Sequence, residues 1–206
     1  AEQNGFKMYD CYTGFKWIAS VIRENEGKAR YIGGGEESYG FLPEDFVRDK
    51  DAVSACAILA EIAAWAKDQG ITMYQLLQNI YVQYGFSKEK GISVVKKGKS
   101  GAEEIEAMMK HFRENPLQEI AGSKVTLFYD YASLKGKDYV ENETLTLDMP
   151  TTSNVLQYFT EDGTKVSIRP SGTEPKIKFY CEVHSKVKSL DELPAAEKAG
   201  AEKIEA

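Results

Sequence analysis

Arg169, Pro170, Ser171, Gly172, Thr173, Glu174 and Pro175 put one permanent cation, two hydroxyls and a flexible glycine into seven consecutive residues, between two runs that alternate like β-strands. That combination suits a phosphate. The guanidinium offers a planar fork of donors, the hydroxyls can donate to the remaining oxygens, and glycine lets successive backbone N–H groups converge on an anion. Two prolines stiffen the loop ends, which lowers the entropy lost on binding. An ordinary turn competes with this reading, because Pro, Ser, Gly and Thr favour turns for local reasons.

A second loop tips the balance. Gly33, Gly34, Gly35, Glu36, Glu37, Ser38, Tyr39 and Gly40 follow a short run ending in Tyr31 and Ile32. The glycines permit a tight turn and close approach of the main chain to a ligand. Glu36 accepts and Ser38 donates or accepts hydrogen bonds, a pairing that matches sugar hydroxyls. A dinucleotide fingerprint is excluded, since its third glycine, counted from Gly33 and Gly35, falls on Ser38. Gly98-Lys99-Ser100 copies the end of a nucleotide P-loop, but the glycine needed five residues earlier is Ser93.

In chain order, Thr13-Gly14-Phe15-Lys16, Gly35-Glu36-Glu37-Ser38-Tyr39-Gly40, Arg48-Asp49-Lys50-Asp51 and the Arg169–Pro175 loop resemble the α-D-phosphohexomutases, the phosphoglucomutase and phosphomannomutase family. The resemblance spans nearly the whole chain. It implies the third and fourth of four domains around one cleft. In residue terms, it implies that Arg169, Ser171, Gly172 and Thr173 bind the substrate phosphate that is not transferred. It also implies that Glu36 and Ser38 meet the sugar hydroxyls, and that Thr13 and Gly14 help recognise the sugar. Lys50 matches a basic position near the transferring phosphate, where charge stabilisation or proton transfer is its implied role; an exposed lysine beside two aspartates is the competing reading.

The family's phosphoserine belongs to a Ser-His-Asn-Pro-like loop and its magnesium to an Asp-rich loop. This chain has no Ser-His pair and no Asp-x-Asp-x-Asp triplet. The resemblance therefore implies Mg2+ bound outside this chain, no metal site within it, and the amino-terminal mutase domains as partners. Phosphoryl transfer depends on positioning and on cations that neutralise phosphate charge, so the chain is expected to be inactive alone. A phosphorylated hexose is the expected ligand, with glucose, mannose, N-acetylglucosamine and pentose phosphates all open. Two other readings stand beside this one: a stand-alone phosphosugar-binding module, and a non-catalytic scaffold.

Composition fits a globular protein. The chain has 206 residues, 42% of them hydrophobic, a net charge of −6 and a pI near 5.2, which argues against generic nucleic-acid or anionic-membrane binding. No apolar run approaches the roughly 18 residues of a membrane span. Cys11, Cys56 and Cys181 are odd in number and widely spaced, predicting free buried thiols and a cytoplasmic location. His111 and His184 read as a helix-face and a strand-end residue.

The fold class expected is α/β followed by α+β. Residues 1–97 form an α/β sugar-binding domain lacking its first strand, and residues 98–206 an α+β phosphate-binding domain with an antiparallel sheet packed by helices. In the first, Phe6–Tyr9 and Arg30–Ile32 predict strands and Phe15–Ile22 a helix. Asp49 or Asp51 caps a helix to about Lys67, apolar on almost every side and so expected to be buried. Thr72 opens another helix, and a connector runs to Lys96–Lys99, with Lys96–Gly101 as the expected hinge. An incomplete sheet would expose apolar surface and unpaired backbone, predicting self-association.

In the second domain Ser100 and Glu103 make a capping box ahead of Ile105, Met108, Met109 and Phe112, with Pro116 at the helix end. Val125, Leu127, Tyr129 and Tyr131 alternate as one strand, and Asp162-Gly163 turns the strand after Val155 into Lys165–Arg169. Ile177, Phe179, Cys181 and Val183 face one way, with Lys176, Lys178, Tyr180 and Glu182 facing the other. Residues 135–152 read as an excursion, and a helix from about Leu190 closes the chain.

Overall fold

Gly14, with φ of 118°, ends the opening coil and starts α1 (Phe15–Glu24), whose Phe15, Ile18 and Ile22 recur on one face and are buried. The computed structural model describes residues 1–36, 39–96, 98–172 and 174–206, and the chain divides into units Ala1–Leu76 and Leu77–Ala206. In the first unit α1 packs against Leu42 and Tyr31, and the Tyr31 hydroxyl donates to the Leu42 carbonyl at 2.9 Å. Leu42 belongs to β2 (Phe41–Leu42), which pairs antiparallel with β1 (Gly34–Gly35). Glycine is required at 34, where a Cβ would stand 2.7 Å from the Tyr31 hydroxyl and 3.1 Å from Ile18 Cγ2.

Phe6–Tyr9 and Arg30–Ile32, expected as strands, carry no ladder among the described residues. A strand is stable only when a neighbour takes up its backbone donors and acceptors, and neither segment has one here. Asp51, rather than Asp49, caps α2 (Ala52–Asp68): its carboxylate accepts from the N–H groups of Val53 at 3.0 Å and Ser54 at 3.1 Å. Asp49 instead accepts from the Lys50 N–H. The expected burial of α2 is corrected. Only Ala66 is buried along it, while Val53, Leu59 and Trp65 are 79%, 53% and 53% exposed. Apolar composition says what a helix surface prefers, not whether a neighbour covers it.

Thr72 and Gln75 exchange backbone-to-side-chain bonds of 2.8 and 3.1 Å, a reciprocal cap that starts α3 (Met73–Tyr84). The segment expected as a connector is then β3 (Phe86–Val95), paired with β10 (Lys176–Ser185) over ten residues. That ladder ties residues 86–95 to the second unit, so the compact units divide at 76/77 where the sequence reading divides at 97/98. The expected hinge at Lys96–Gly101 lies inside the second unit. There the Lys96 N–H donates to the Pro175 carbonyl at 2.9 Å.

The second unit is an antiparallel sheet with strand order β3-β10-β9-β8-β5-β6-β7. Its remaining strands are β4 (Glu119–Ile120), β5 (Ser123–Asp130), β6 (Lys135–Asp138), β7 (Glu143–Thr146), β8 (Leu156–Thr160) and β9 (Lys165–Pro170), with β4 beside β5. The 135–152 excursion thus contains a hairpin that extends the sheet. Helix α4 (Gly98–Glu114) starts before the expected cap, so Ser100 sits in its first turn. Gly101 allows this by approaching the Lys96 backbone, where a Cβ would lie 2.6 Å from carbonyl atoms.

Ile105 and Met109 of α4 pack on Val125, Phe128, Leu156, Tyr158, Ile168 and Ile177. A register shift between Val125 and Leu127 corrects the expected alternation: the bulge moves the core face from Val125 to Phe128. Helix α5 (Leu193–Glu205) packs at Phe86, with Gly200 against Phe86 and Lys88. Residues 86, 88 and 94 share one face of β3, so both helices cover the same side of the sheet.

Candidate functional site

The described residues of the loop expected to hold phosphate lie in the hairpin between β9 and β10. Arg169 and Pro170 end β9, Lys176 starts β10, and the Ser171 N–H donates to the Lys176 carbonyl at 2.8 Å. The Glu174 N–H donates to Ser171 Oγ at 3.3 Å, and the Lys176 N–H to the Glu174 carbonyl at 2.7 Å. Lys96 fixes the far end through Pro175, so both ends of the loop are anchored. Glu174 is ion-paired with Lys176, which holds its carboxyl below the ordinary range by hydrogen bonding and charge. Gly172 is exposed, and a Cβ there would meet nothing. Thr173 lies outside the described residues.

Register adds a residue that sequence reasoning passed over. Lys178 on β10 is the direct partner of Arg169 on β9, so both side chains leave the sheet on the same face. Among the described residues Arg169 has no hydrogen-bond or ion-pair partner, and Lys178 makes no ion pair within contact distance, although its charge helps hold the Glu174 carboxyl down. Two cations without a salt bridge among the described residues therefore stand side by side at the mouth of the loop. Strand alternation placed Lys178 on this face, but only the register shows that Arg169 is opposite.

In the first unit, Glu36, Gly40 and Lys50 gather around Phe15. The Lys50 ammonium lies 5.3 Å from the Phe15 ring centroid and 3.5 Å from an Asp49 carboxylate oxygen. Gly40 closes against the same ring: a Cβ there would stand 2.5 Å from Phe15 Cε2 and 2.9 Å from Glu36 Oε2. The Glu36 N–H donates to the Gly40 carbonyl at 2.9 Å, closing the loop neck. Ser38 lies outside the described residues. Thr13 and Glu36 both line a cavity of about 1120 Å³ that also touches Asp10, Cys11 and Tyr31. Gly14 stands at the N-terminal end of α1, whose first turn holds no acidic residue, so the helix dipole adds positive potential there.

Two of the cavity's titratable groups are shifted. Desolvation, then the charge of Asp45, pushes the Tyr31 phenol up to about 12. The Cys11 thiol is raised by desolvation and by the carboxylates Asp10 and Glu36. All three cysteines are free, but the expected burial is corrected for Cys11 and Cys56, which are exposed, whereas Cys181 is half-buried. A separate cavity of about 360 Å³ on α4, from Glu104 to Phe112, contains none of the candidate residues.

His184 Nδ1 lies 3.1 Å from Ser87 Oγ across the β3–β10 ladder, and His111 packs edge-on to Phe112. Among the described residues no three His, Cys, Asp or Glu side chains converge as a metal site, and no helix is long and apolar enough to cross a membrane.

Residues 1–84 match the family described as phosphoglucomutase/phosphomannomutase, alpha/beta/alpha domain III, and residues 93–199 match its C-terminal domain. A phosphoglucomutase of Staphylococcus aureus strain MRSA252 is 40% identical over 180 residues, covering 87% of this chain and 32% of that protein. A phosphoglucomutase of Staphylococcus haemolyticus strain JCSC1435 is 36% identical over 180 residues, with the same coverage of each chain. The chain spans about a third of the length of these curated relatives. The crystal structure of the exocytosis-sensitive phosphoprotein pp63/parafusin, a phosphoglucomutase from Paramecium in its open form, superposes with a TM-score of 0.56. That match has 21% identity, covers 98% of this chain and 34% of that one, and supports the fold alone. With one family domain matched over residues 1–84 and the next over more than half the chain, the chain belongs to the phosphoglucomutase/phosphomannomutase family and carries its domain III and its C-terminal domain.

Proposed function

We propose that this chain supplies the substrate-holding surfaces of a phosphohexomutase that interconverts sugar 1- and 6-phosphates through a phosphoserine enzyme and a bisphosphorylated intermediate. The observation that carries the reading is the anchored Arg169–Pro175 hairpin with two cations, Arg169 and Lys178, at its mouth, neither in a salt bridge among the described residues. The guanidinium binds two oxygens of the far phosphate, Lys178 adds a point charge, and Ser171 and the loop N–H groups complete the cradle. Glu36 accepts hydrogen bonds from sugar hydroxyls, a contact that survives exchange of the sugar's two ends. Lys50 neutralises charge near the transferring phosphate, with Phe15 supporting its ammonium.

The magnesium that this family reading implies has no fitting ligand set among the described residues. Phosphoserine chemistry and metal binding fall to mutase domains outside this sequence, and the chain alone turns over no substrate. A cytoplasmic location is part of the proposal, supported by three unpaired thiols.

Calorimetric titration with glucose 6-phosphate and mannose 6-phosphate, beside an Arg169→Ala variant, tests the site. Binding lost in the variant supports it. Charge-assisted bonds are worth about 1.5–3 kcal/mol each, so the loss should exceed tenfold. Binding that survives the substitution unchanged would sink the assignment of Arg169.

A further inference from the structure

On the sheet face opposite the helices, β10 presents Lys176, Lys178 and Tyr180 in succession, and the two lysines are held differently. Lys176 is ion-paired with Glu174. Lys178 makes no ion pair within contact distance among the described residues, and its charge acts on Glu174 only after that of Lys176; its ammonium lies over the Tyr180 ring, 5.8 Å from the centroid. An ion pair neutralises a lysine toward a third charge. An aromatic face holds the ammonium by its quadrupole and leaves the full positive charge available.

Tyr180 is placed for this by register. Its cross-strand neighbours are Ser167 on β9 and Gly91 on β3, both small, and the space above Gly91 is open. The Tyr180 hydroxyl is buried and has no hydrogen-bond partner among the described residues. A buried phenol that makes no hydrogen bond contributes through its ring, and the ring's polar neighbour is Lys178.

We propose that Tyr180 is a positioning residue of the phosphate site: its ring holds the Lys178 ammonium beside Arg169, in register with the loop, without cancelling the charge the phosphate needs. This rests on the proposed assignment of the Arg169 loop as a phosphate site. Without Tyr180, Lys178 samples many rotamers, and the ligand bears the cost of ordering it.

The test is a double-mutant cycle on the whole chain, with glucose 6-phosphate as titrant. Tyr180→Leu should weaken binding about three- to tenfold, the range a partly desolvated cation–π contact supports. Tyr180→Phe, which keeps the ring and removes the unpartnered hydroxyl, should bind as the parent chain does and unfold at the same or a higher temperature. In a Lys178→Met background, Tyr180→Leu should have no further effect on affinity. A ring-current upfield shift of the Lys178 ε-protons, kept in Tyr180→Phe, gives a readout independent of ligand and of the Leu variant's folding.

Equal losses from Tyr180→Leu with and without Lys178 would overturn the proposal, as would unshifted ε-protons. If Arg169→Ala abolishes binding while Tyr180→Leu leaves it intact, the phosphate site stands and only the role of Tyr180 falls. No binding by the parent chain would remove both.

Discussion

The two units use apolar residues in opposite ways. In the second, apolar residues are consumed by packing: Leu156, Tyr158 and Ile177 are fully buried where α4 meets the sheet. In the first, α2 is apolar on almost every side yet buries only Ala66, and Phe6, Met8, Ile32 and Phe46 are exposed as well. The difference follows from what each unit can pair. The second completes an antiparallel sheet from its own strands, whereas the first holds, among the described residues, a two-residue ribbon and two extended segments without ladders. A sheet gives helices a flat apolar floor, and without it the same helix chemistry has nothing to cover it.

The largest expected effect that sharpens this contrast is on stability. Ile168→Ala in the second unit should cost about 2–5 kcal/mol by urea unfolding, since it leaves a cavity beneath α4. Leu59→Ala on α2 should stay within about 0.5 kcal/mol, as at an exposed site. Equal costs would mean that α2 is packed in solution.

A second test concerns association. Exposed apolar surface of this extent should make the chain self-associate with rising concentration in sedimentation velocity. The double substitution Val53→Glu with Leu59→Glu should shift it toward monomer while leaving the second unit's unfolding unchanged. A single monomeric boundary at high concentration would break the contrast.

The smallest effect is on pH. Hydrogen bonds from Ser54 and Val53 hold the Asp51 carboxyl below its ordinary value. Its capping contribution is therefore complete above the unfolded-state value and disappears as pH falls through the depressed folded value. Amide exchange at Val53 and Ser54 should accelerate below the ordinary carboxylate range in the parent chain. In Asp51→Asn it should lack that acid step; an identical acid profile would remove Asp51 as the cap.

Much of this was legible in order and type of residues. A cap at Asp49 or Asp51, the helix start at Thr72, helix α1 and the alternation of β10 are local patterns, set by side chains within a turn or two; the structure chose Asp51. Local signals fail where a distant partner decides. Strand β3 resembles a lysine-rich connector because it is an edge strand, whose exposed positions carry charge. The bulge in β5 is invisible in composition, since Val125 and Phe128 are both apolar and only the ladder shows the shift.

At the candidate site the same division holds. The residue types and spacing of Arg169–Pro175, Glu36 and Lys50 point to a phosphate loop and a sugar loop as expectations, because hydrogen-bonding capacity and charge belong to the residues themselves. The pairing of Lys178 with Arg169, the ring of Tyr180 beneath that lysine, and the exposure of α2 depend on which strands and helices become neighbours. Sequence alone determines the chemistry a side chain can offer and its local periodicity. Tertiary structure decides what each side chain faces, because register and burial arise from contacts between residues far apart in the chain.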